Sequence, residues 1–432
     1  MANHPRLLVS CTSALVDEAI DVRVSGCRPR EAVTLTARID DARRGRWRAQ
    51  AGFVTDATGV VDLRSARPVA GNYATADSLG LMWSLELDDA SSPTSGIGSL
   101  SEPLTLELAL EVDGRRVDRV ELQRRFLALG MRRISVRDDG LVGTFFAPSD
   151  QRARAGVLVI GGSDGGLSEG TAALLASRGF AVLAVAYFRA EHLPTELIEI
   201  PLEYFEKGIR WLASQPGVRP GGLGVVGRSR GGELALLLAA TFQNLRAVVG
   251  YVPSGLIHAG IGSSSAPGAA PRSAWTHQGR PLPFLPPPAI GPSAPSASVA
   301  DSPLELTPMF LRSLENRAAV EAAGIPVERI CGPVMLISGE DDRLWPSPVL
   351  AEIAVARLAR CKHPYPVTHL RYSAAGHMIG PIGLPATVST VLHPLRGRAL
   401  ALGGMPAGNA AAAFDSWPRV IGFLHSSLES VA

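Results

Sequence analysis

The residues best able to do covalent chemistry lie in the stretch Gly227-Arg228-Ser229-Arg230-Gly231. The apolar run Leu223-Gly224-Val225-Val226 precedes it, and an apolar helical stretch at 233–240 follows. A strand, a tight turn and a helix in that order expose a serine hydroxyl at the top of a sheet, and flanking glycines allow the sharp reversal. A hydroxyl is a weak nucleophile until a base removes its proton, so one of the nine histidines must serve Ser229. On such a turn the partners follow along the chain as serine, then acid, then histidine. His4 and His192 precede the serine, and His258 and His277 precede any suitable acid. His377, in Ala374-Ala375-Gly376-His377-Met378, comes directly after the strand-like stretch 368–372 and is the expected base. His363, His369, His393 and His425 read as core or surface histidines. The acid is expected after the apolar run Val334-Met335-Leu336-Ile337. There Gly339-Glu340-Asp341-Asp342 has Gly-x-x-Asp spacing, which favours Asp342, with Asp341 as the alternative. Its task would be to hold the imidazole in one tautomer and stabilise the imidazolium.

Acyl transfer also needs two N–H groups aimed at the developing oxyanion. Arg230, next after the serine, supplies one backbone N–H. The other is expected from Gly161-Gly162-Ser163-Asp164-Gly165-Gly166, at Gly162 or Ser163. That loop lacks both the Gly-Lys-Ser/Thr ending and the G-x-G-x-x-G spacing of phosphate-binding loops, so a nucleotide role is not expected.

These residues require a scaffold, and the chain offers two kinds. Up to about residue 128, short stretches such as Val33-Thr34-Leu35-Thr36-Ala37 and Leu104-Thr105-Leu106-Glu107-Leu108 alternate apolar with polar. Turn signals separate them, so this part reads as an all-β sandwich. From 129 to 432 a hairpin around Asp138-Asp139-Gly140 comes first. Continuous apolar strands then alternate with helices, near 171–178, 202–212 and from Gly232, with a closing helix around 416–427. That rhythm predicts a mostly parallel sheet with helices on both faces, which with the serine turn is the α/β-hydrolase arrangement. Residues 256–303, rich in Pro, Ser, Ala and Gly, interrupt it as either a surface excursion or a cap over the pocket.

Composition narrows the partners. The 42 basic and 40 acidic residues leave a net charge of +2, which predicts no field for nucleic acid. No apolar stretch reaches the ~20 residues of a membrane span. Cys11, Cys27, Cys331 and Cys361 show no metal-ligand spacing and read as free buried thiols of a reducing compartment, with a Cys11–Cys27 bridge between two strands as the alternative. The N-terminus lacks a signal-peptide core, and Ser430-Val431-Ala432 is no peroxisomal address, so a cytoplasmic location is expected. No metal or cofactor is called for.

With the site residues in place, the chain resembles the family of acyl-CoA thioesterases and bile-acid-CoA:amino-acid N-acyltransferases. The likeness is carried by Gly165-Gly166-Leu167-Ser168-Glu169, Leu202-Glu203-Tyr204-Phe205-Glu206, Gly227-Arg228-Ser229-Arg230-Gly231-Gly232-Glu233, Asp341-Asp342-Arg343-Leu344-Trp345-Pro346 and Gly376-His377-Met378. Asp56-Ala57-Thr58-Gly59 and Gly80-Leu81-Met82-Trp83-Ser84 are similar to the family's immunoglobulin-like domain. The resemblance implies that Ser229, Asp342 and His377 form a triad acting on an acyl-CoA, or an acyl carrier protein, thioester. Amino-acid-transferring members use cysteine, so serine here implies hydrolysis, with transfer to an amine or alcohol as the alternative. Arg228, Arg230 and Arg343 are the arginines at hand for the CoA phosphates.

Overall fold

The computed structural model describes residues 4–88, 96–150, 152–262, 269–288 and 302–429. In the N-terminal part, Ala32–Asp41 and Gly45–Val54 form a long antiparallel hairpin whose side chains alternate inward and outward. Leu104–Val112 and Arg115–Arg125 extend that sheet, and a second, smaller sheet joins Arg6–Val9, Val22–Ser25 and Val61–Asp62. Leu35, Ile39, Phe53 and Leu106 of the first sheet share one apolar interior with Val22, Val24 and Val61 of the second. One departure from all-β is the helical turn Gly80–Trp83, all four residues buried.

The larger part is an eight-stranded sheet. In chain order its strands are β1 (Met131–Val136), β2 (Val142–Pro148), β3 (Arg154–Ile160), β4 (Ala181–Ala186), β5 (Val218–Arg228), β6 (Leu245–Tyr251), β7 (Val334–Gly339) and β8 (Val367–Tyr372). Their spatial order is β1-β2-β4-β3-β5-β6-β7-β8. β2 runs antiparallel to its neighbours, and every pair from β4 to β8 is parallel. This is a mixed sheet of the α/β-hydrolase kind, with the strand carboxyl ends gathering the loops that follow β3, β5, β7 and β8.

Helices cover both faces because the central strands are apolar on both sides. On one face α1 (Glu169–Ser177) and α5 (Pro406–Glu429) pack with Val157, Val182 and Val226. On the other, α2 (Leu202–Ala213), α3 (Arg230–Thr241) and α4 (Ser347–Arg360) pack with Leu158, Leu183 and Val225. α2 buries Leu202, Phe205, Ile209 and Leu212, one stripe at helical spacing. α5 begins ten residues before the expected 416. Its early turns are Ala-rich and bury Ala410 and Ala412, which extends the helix upstream of the internal Pro418.

The two parts share an unbroken apolar core. Asp17 accepts from Arg178 (Nε, 2.9 Å) and from Trp417 Nε1 (2.8 Å). Glu169, at the start of α1, accepts from Ser101 Oγ at 2.9 Å, Arg133 Nη2 at 2.6 Å and Thr144 Oγ1 at 2.5 Å. The Ser99 carbonyl takes the otherwise orphaned N–H groups of Glu169 and Gly170. Cysteine burial differs from expectation: Cys27 is buried, whereas Cys11 and Cys361 are exposed, and all four are free. Within 256–303, residues 263–268 and 289–301 lie outside the described residues. The remainder packs closely: Trp275–His277 pairs with Ile200–Pro201, and Trp275 is fully buried.

Candidate active site

β5 ends at Arg228 and α3 starts at Arg230, leaving Ser229 alone on the turn with φ 58° and ψ −120°. A non-glycine residue there carries about 1–3 kcal/mol of backbone strain, which the surroundings must hold in place. They do so by contact. A β-carbon at Gly227 would come within 1.9 Å of the Gly231 carbonyl oxygen, and one at Gly231 within 2.3 Å of the Gly161 oxygen. Ser229 N–H donates to the Tyr251 carbonyl at 2.8 Å, tying the turn to β6. The serine is 7% exposed, and its hydroxyl takes no hydrogen-bond partner among the described residues.

The loop after β7 carries Asp342 and the loop after β8 carries His377, and the structure brings the two together. His377 Nδ1 donates to Asp342 Oδ2 at 2.8 Å, with both side chains buried. The remaining oxygen, Oδ1, accepts from the N–H groups of Leu344 and Trp345. In the neutral ring, donation from Nδ1 makes Nε2 the unprotonated nitrogen. Asp341 is occupied elsewhere: its carboxylate accepts from Gly404 N–H at 2.9 Å and from Arg343 Nε at 3.2 Å. Arg228 Nη1 reaches Met378 Sδ at 3.2 Å, linking the serine turn to the loop of His377.

The glycine loop after β3 flanks the serine. A β-carbon at Gly162 would lie 3.5 Å from Ser229 Cβ. Tyr187 donates its hydroxyl to the carbonyls of Gly161 (3.0 Å) and Gly162 (3.2 Å). The backbone N–H groups of Gly162, Ser163 and Arg230 donate to no backbone oxygen among the described residues. Arg230 is not a surface cation. It is 4% exposed, ion-pairs with Glu233 at 2.8 Å and donates to the His258 and Ala259 carbonyls. Arg343 is likewise paired, with Glu305 and Asp341. Of the two, Arg230 is turned inward, whereas Arg343 keeps a half-exposed side chain.

Glu233 is wholly buried beneath the turn and accepts from Trp275 Nε1 at 2.7 Å and His258 N–H at 3.3 Å. Burial pushes its carboxyl up to about 7, against the opposing pull of Arg230, Trp275 and the His258 N–H. Through this cluster His258, Ala259 and Trp275 are anchored to the first turn of α3, beside Ser229. His258 is also buried and held neutral, its Nε2 on Ser254 Oγ at 2.9 Å.

Two features were not expected from the sequence. His393, read as a core or surface histidine, is buried and sits 2.9 Å from Ser163 Oγ, 230 residues away. The strap 389–409 touches the loops that carry Asp342, His377 and Ser163. Leu402 O accepts from His377 N–H at 2.8 Å, Asn409 Oδ1 accepts from Gly376 N–H at 2.8 Å, and Gly403 bridges to Asp342. Local spacing carries no signal for contacts of that sequence separation. The position of Glu233 in the first turn of α3 was the one readable hint at the buried pair with Arg230.

A family model described as BAAT / acyl-CoA thioester hydrolase C terminal matches residues 200–430. The corresponding N-terminal region model, acyl-CoA thioester hydrolase/BAAT N-terminal region, matches residues 17–138. Acyl-coenzyme A thioesterase 1 of Homo sapiens is 32% identical over 95% of this chain and 94% of its own length. The peroxisomal succinyl-coenzyme A thioesterase of Mus musculus is 30% identical over 96% of this chain and 94% of its own. Among solved structures, a dienelactone hydrolase-like promiscuous phosphotriesterase from metagenomic libraries aligns at 17% identity with a TM-score of 0.41. It covers 69% of this chain and 98% of that one, a likeness too distant to bear on the site. With both halves matched in order and relatives aligned nearly end to end, the chain is a serine hydrolase of the BAAT / acyl-CoA thioester hydrolase family.

Proposed function

We propose that this enzyme hydrolyses an acyl-CoA thioester to free acid and CoA through an acyl-enzyme on Ser229. The observation that carries the reading is the buried His377–Asp342 pair, 2.8 Å apart, on the loops that border the strained Ser229 turn. Ser229 Oγ attacks the thioester carbonyl while its proton passes to His377 Nε2. The carbonyl π pair moves onto oxygen, where the N–H groups of Arg230 and of Gly162 or Ser163 receive the charge. Collapse breaks the C–S bond, and His377 returns the proton to the departing CoA sulfur. Water then repeats the sequence on the Ser229 ester, its proton passing through His377 to Ser229 Oγ as the acid leaves. Asp342 holds the imidazole tautomer and stabilises the imidazolium in both halves.

In this reading residues 1–128 are an immunoglobulin-like sandwich and 129–432 the catalytic domain. The names of the aligned relatives support a CoA thioester as substrate. The exposed free thiols of Cys11 and Cys361 suit a reducing compartment such as the cytoplasm, and among the described residues no helix is long and apolar enough to cross a membrane.

The test is release of free thiol from a series of acyl-CoA substrates, with and without added glycine or taurine. Hydrolysis predicts equal yields of free CoA and free acid in the presence of amine. An amide product would assign the enzyme to transfer instead. Cleavage of simple esters with no CoA release from any chain length would overturn the thioester reading.

A further inference from the structure

The Ser163–His393 contact has a direction. His393 Nδ1 accepts the Leu395 N–H at 3.2 Å, so in the neutral ring the proton sits on Nε2. Nε2 therefore donates to Ser163 Oγ across 2.9 Å. The ring stays neutral because burial, and secondarily the Arg396 and Arg189 cations, push its pKa down to about 4 against the opposing charge of Asp164. A hydroxyl that accepts from a fixed N–H still has its own proton to give. Among the described residues Ser163 Oγ–H meets no acceptor.

Ser163 follows Gly162, the residue packed against Ser229. Three carbonyls of this loop are already engaged. The carbonyls of Gly161 and Gly162 take the Tyr187 hydroxyl, and the Asp164 carbonyl takes Arg189 Nη1 at 2.6 Å. The hydroxyl proton of the half-buried Ser163, beside the serine turn, is thus a side-chain donor left without a partner among the described residues, in addition to the backbone N–H groups of Gly162 and Ser163.

We propose that the Ser163 side-chain hydroxyl is a direct donor to the substrate carbonyl oxygen as it becomes an oxyanion, and that His393 is the positioning residue that fixes the hydroxyl rotor. This rests on Ser229 being the nucleophile. It adds a side-chain donor to the backbone N–H groups, and it gives the strap that carries His393 a part in the reaction. Losing one donor aimed at an oxyanion lowers kcat about 100-fold, because the donor acts on charge that develops only in the transition state.

The experiment measures kcat and KM on p-nitrophenyl butyrate and on decanoyl-CoA for wild type, Ser163→Ala, Ser163→Thr, His393→Phe and Ser163→Ala/His393→Phe. Ser163→Ala should lose kcat about 100-fold with KM within about twofold, and Ser163→Thr should recover most of the loss. His393→Phe should lose less, and the double variant should be no worse than Ser163→Ala, because His393 acts through that hydroxyl. Where Ser163→Ala does not fold, His393→Gln, which keeps an N–H donor, should exceed His393→Phe in kcat. Retention of kcat within about twofold in Ser163→Ala, losses that multiply in the double variant, or equal kcat for the Gln and Phe variants would overturn the proposal. The ester arm separates this from the thioesterase reading. A wild type that cleaves the ester but no acyl-CoA ends that reading, while the ratio of Ser163→Ala to wild type on the ester still decides the donor.

Discussion

The serine turn and the strap 389–409 meet at the same site but are held by different forces. The turn is fixed by sterics within a few residues: Gly227 and Gly231 pack so tightly that neither position has room for a β-carbon. Its strain at φ 58° is stored locally, between the end of a buried strand and the start of a buried helix. The strap is fixed by hydrogen bonds to partners far along the chain. Its hairpin, Thr390–His393 with Arg398–Ala401, brings His393 to the loop of Ser163, and the residues that follow, Leu402, Gly403 and Asn409, reach the loops of Asp342 and His377. A turn built on contact tolerates no added atom, whereas a strap built on hydrogen bonds fails by losing partners one at a time.

That difference can be broken experimentally from the largest effect downward. Ser229→Ala should lower kcat by about four orders of magnitude or more while leaving the melting temperature in place. Ser229→Gly should be equally inactive but more stable by about 1 kcal/mol, because glycine accepts positive φ without strain. A melting temperature for Ser229→Gly below wild type would show that the turn stores no strain. Asp342→Asn should keep the fold and lose about 10³- to 10⁴-fold in kcat, since an amide cannot stabilise the imidazolium.

Gly227→Ala should cost more than about 3 kcal/mol of stability, read as a large drop in the melting temperature or as loss of soluble enzyme. On the strap, Asn409→Ala should cost less, about 2 kcal/mol. It strands the Gly376 N–H and the Ala386 carbonyl, both of which Asn409 satisfies. The accompanying loss in kcat is expected to be about tenfold, through the neighbouring His377. A Gly227→Ala enzyme as stable as Asn409→Ala would erase the distinction between contact and hydrogen-bond control.

The smallest effect is a pH dependence. His393 is held neutral when folded, at about 4, against about 6.5 in an unfolded chain. Between those values the unfolded state binds a proton that the folded state does not. Stability therefore falls as pH drops from about 6.5 and the loss stops growing below about 4. His258 is shifted in the same direction and contributes equally to wild type and variant. The melting temperature of His393→Gln should decline less steeply than that of wild type over this range, and identical slopes would place the titration elsewhere.

Much of this molecule was legible along the chain. Strand-turn-helix order marked Ser229, chain order marked His377, and Gly-x-x-Asp spacing favoured Asp342 over Asp341, which the geometry now places against Gly404 and Arg343. Alternating and continuous apolar runs separated the N-terminal sheets from the mostly parallel one. Those signals are local: periodicity, glycine at a turn, and spacing within one loop follow from sterics and burial over a few residues. The tertiary structure alone decided that Arg230 turns inward to Glu233, that Trp275 closes over that pair, and that His393 reaches Ser163. Each of these is a buried polar group whose partner is chosen by where the sheet and the strap cross. The need for a partner can be foreseen from the residue, but the partner's identity depends on distances that exist only in the folded chain.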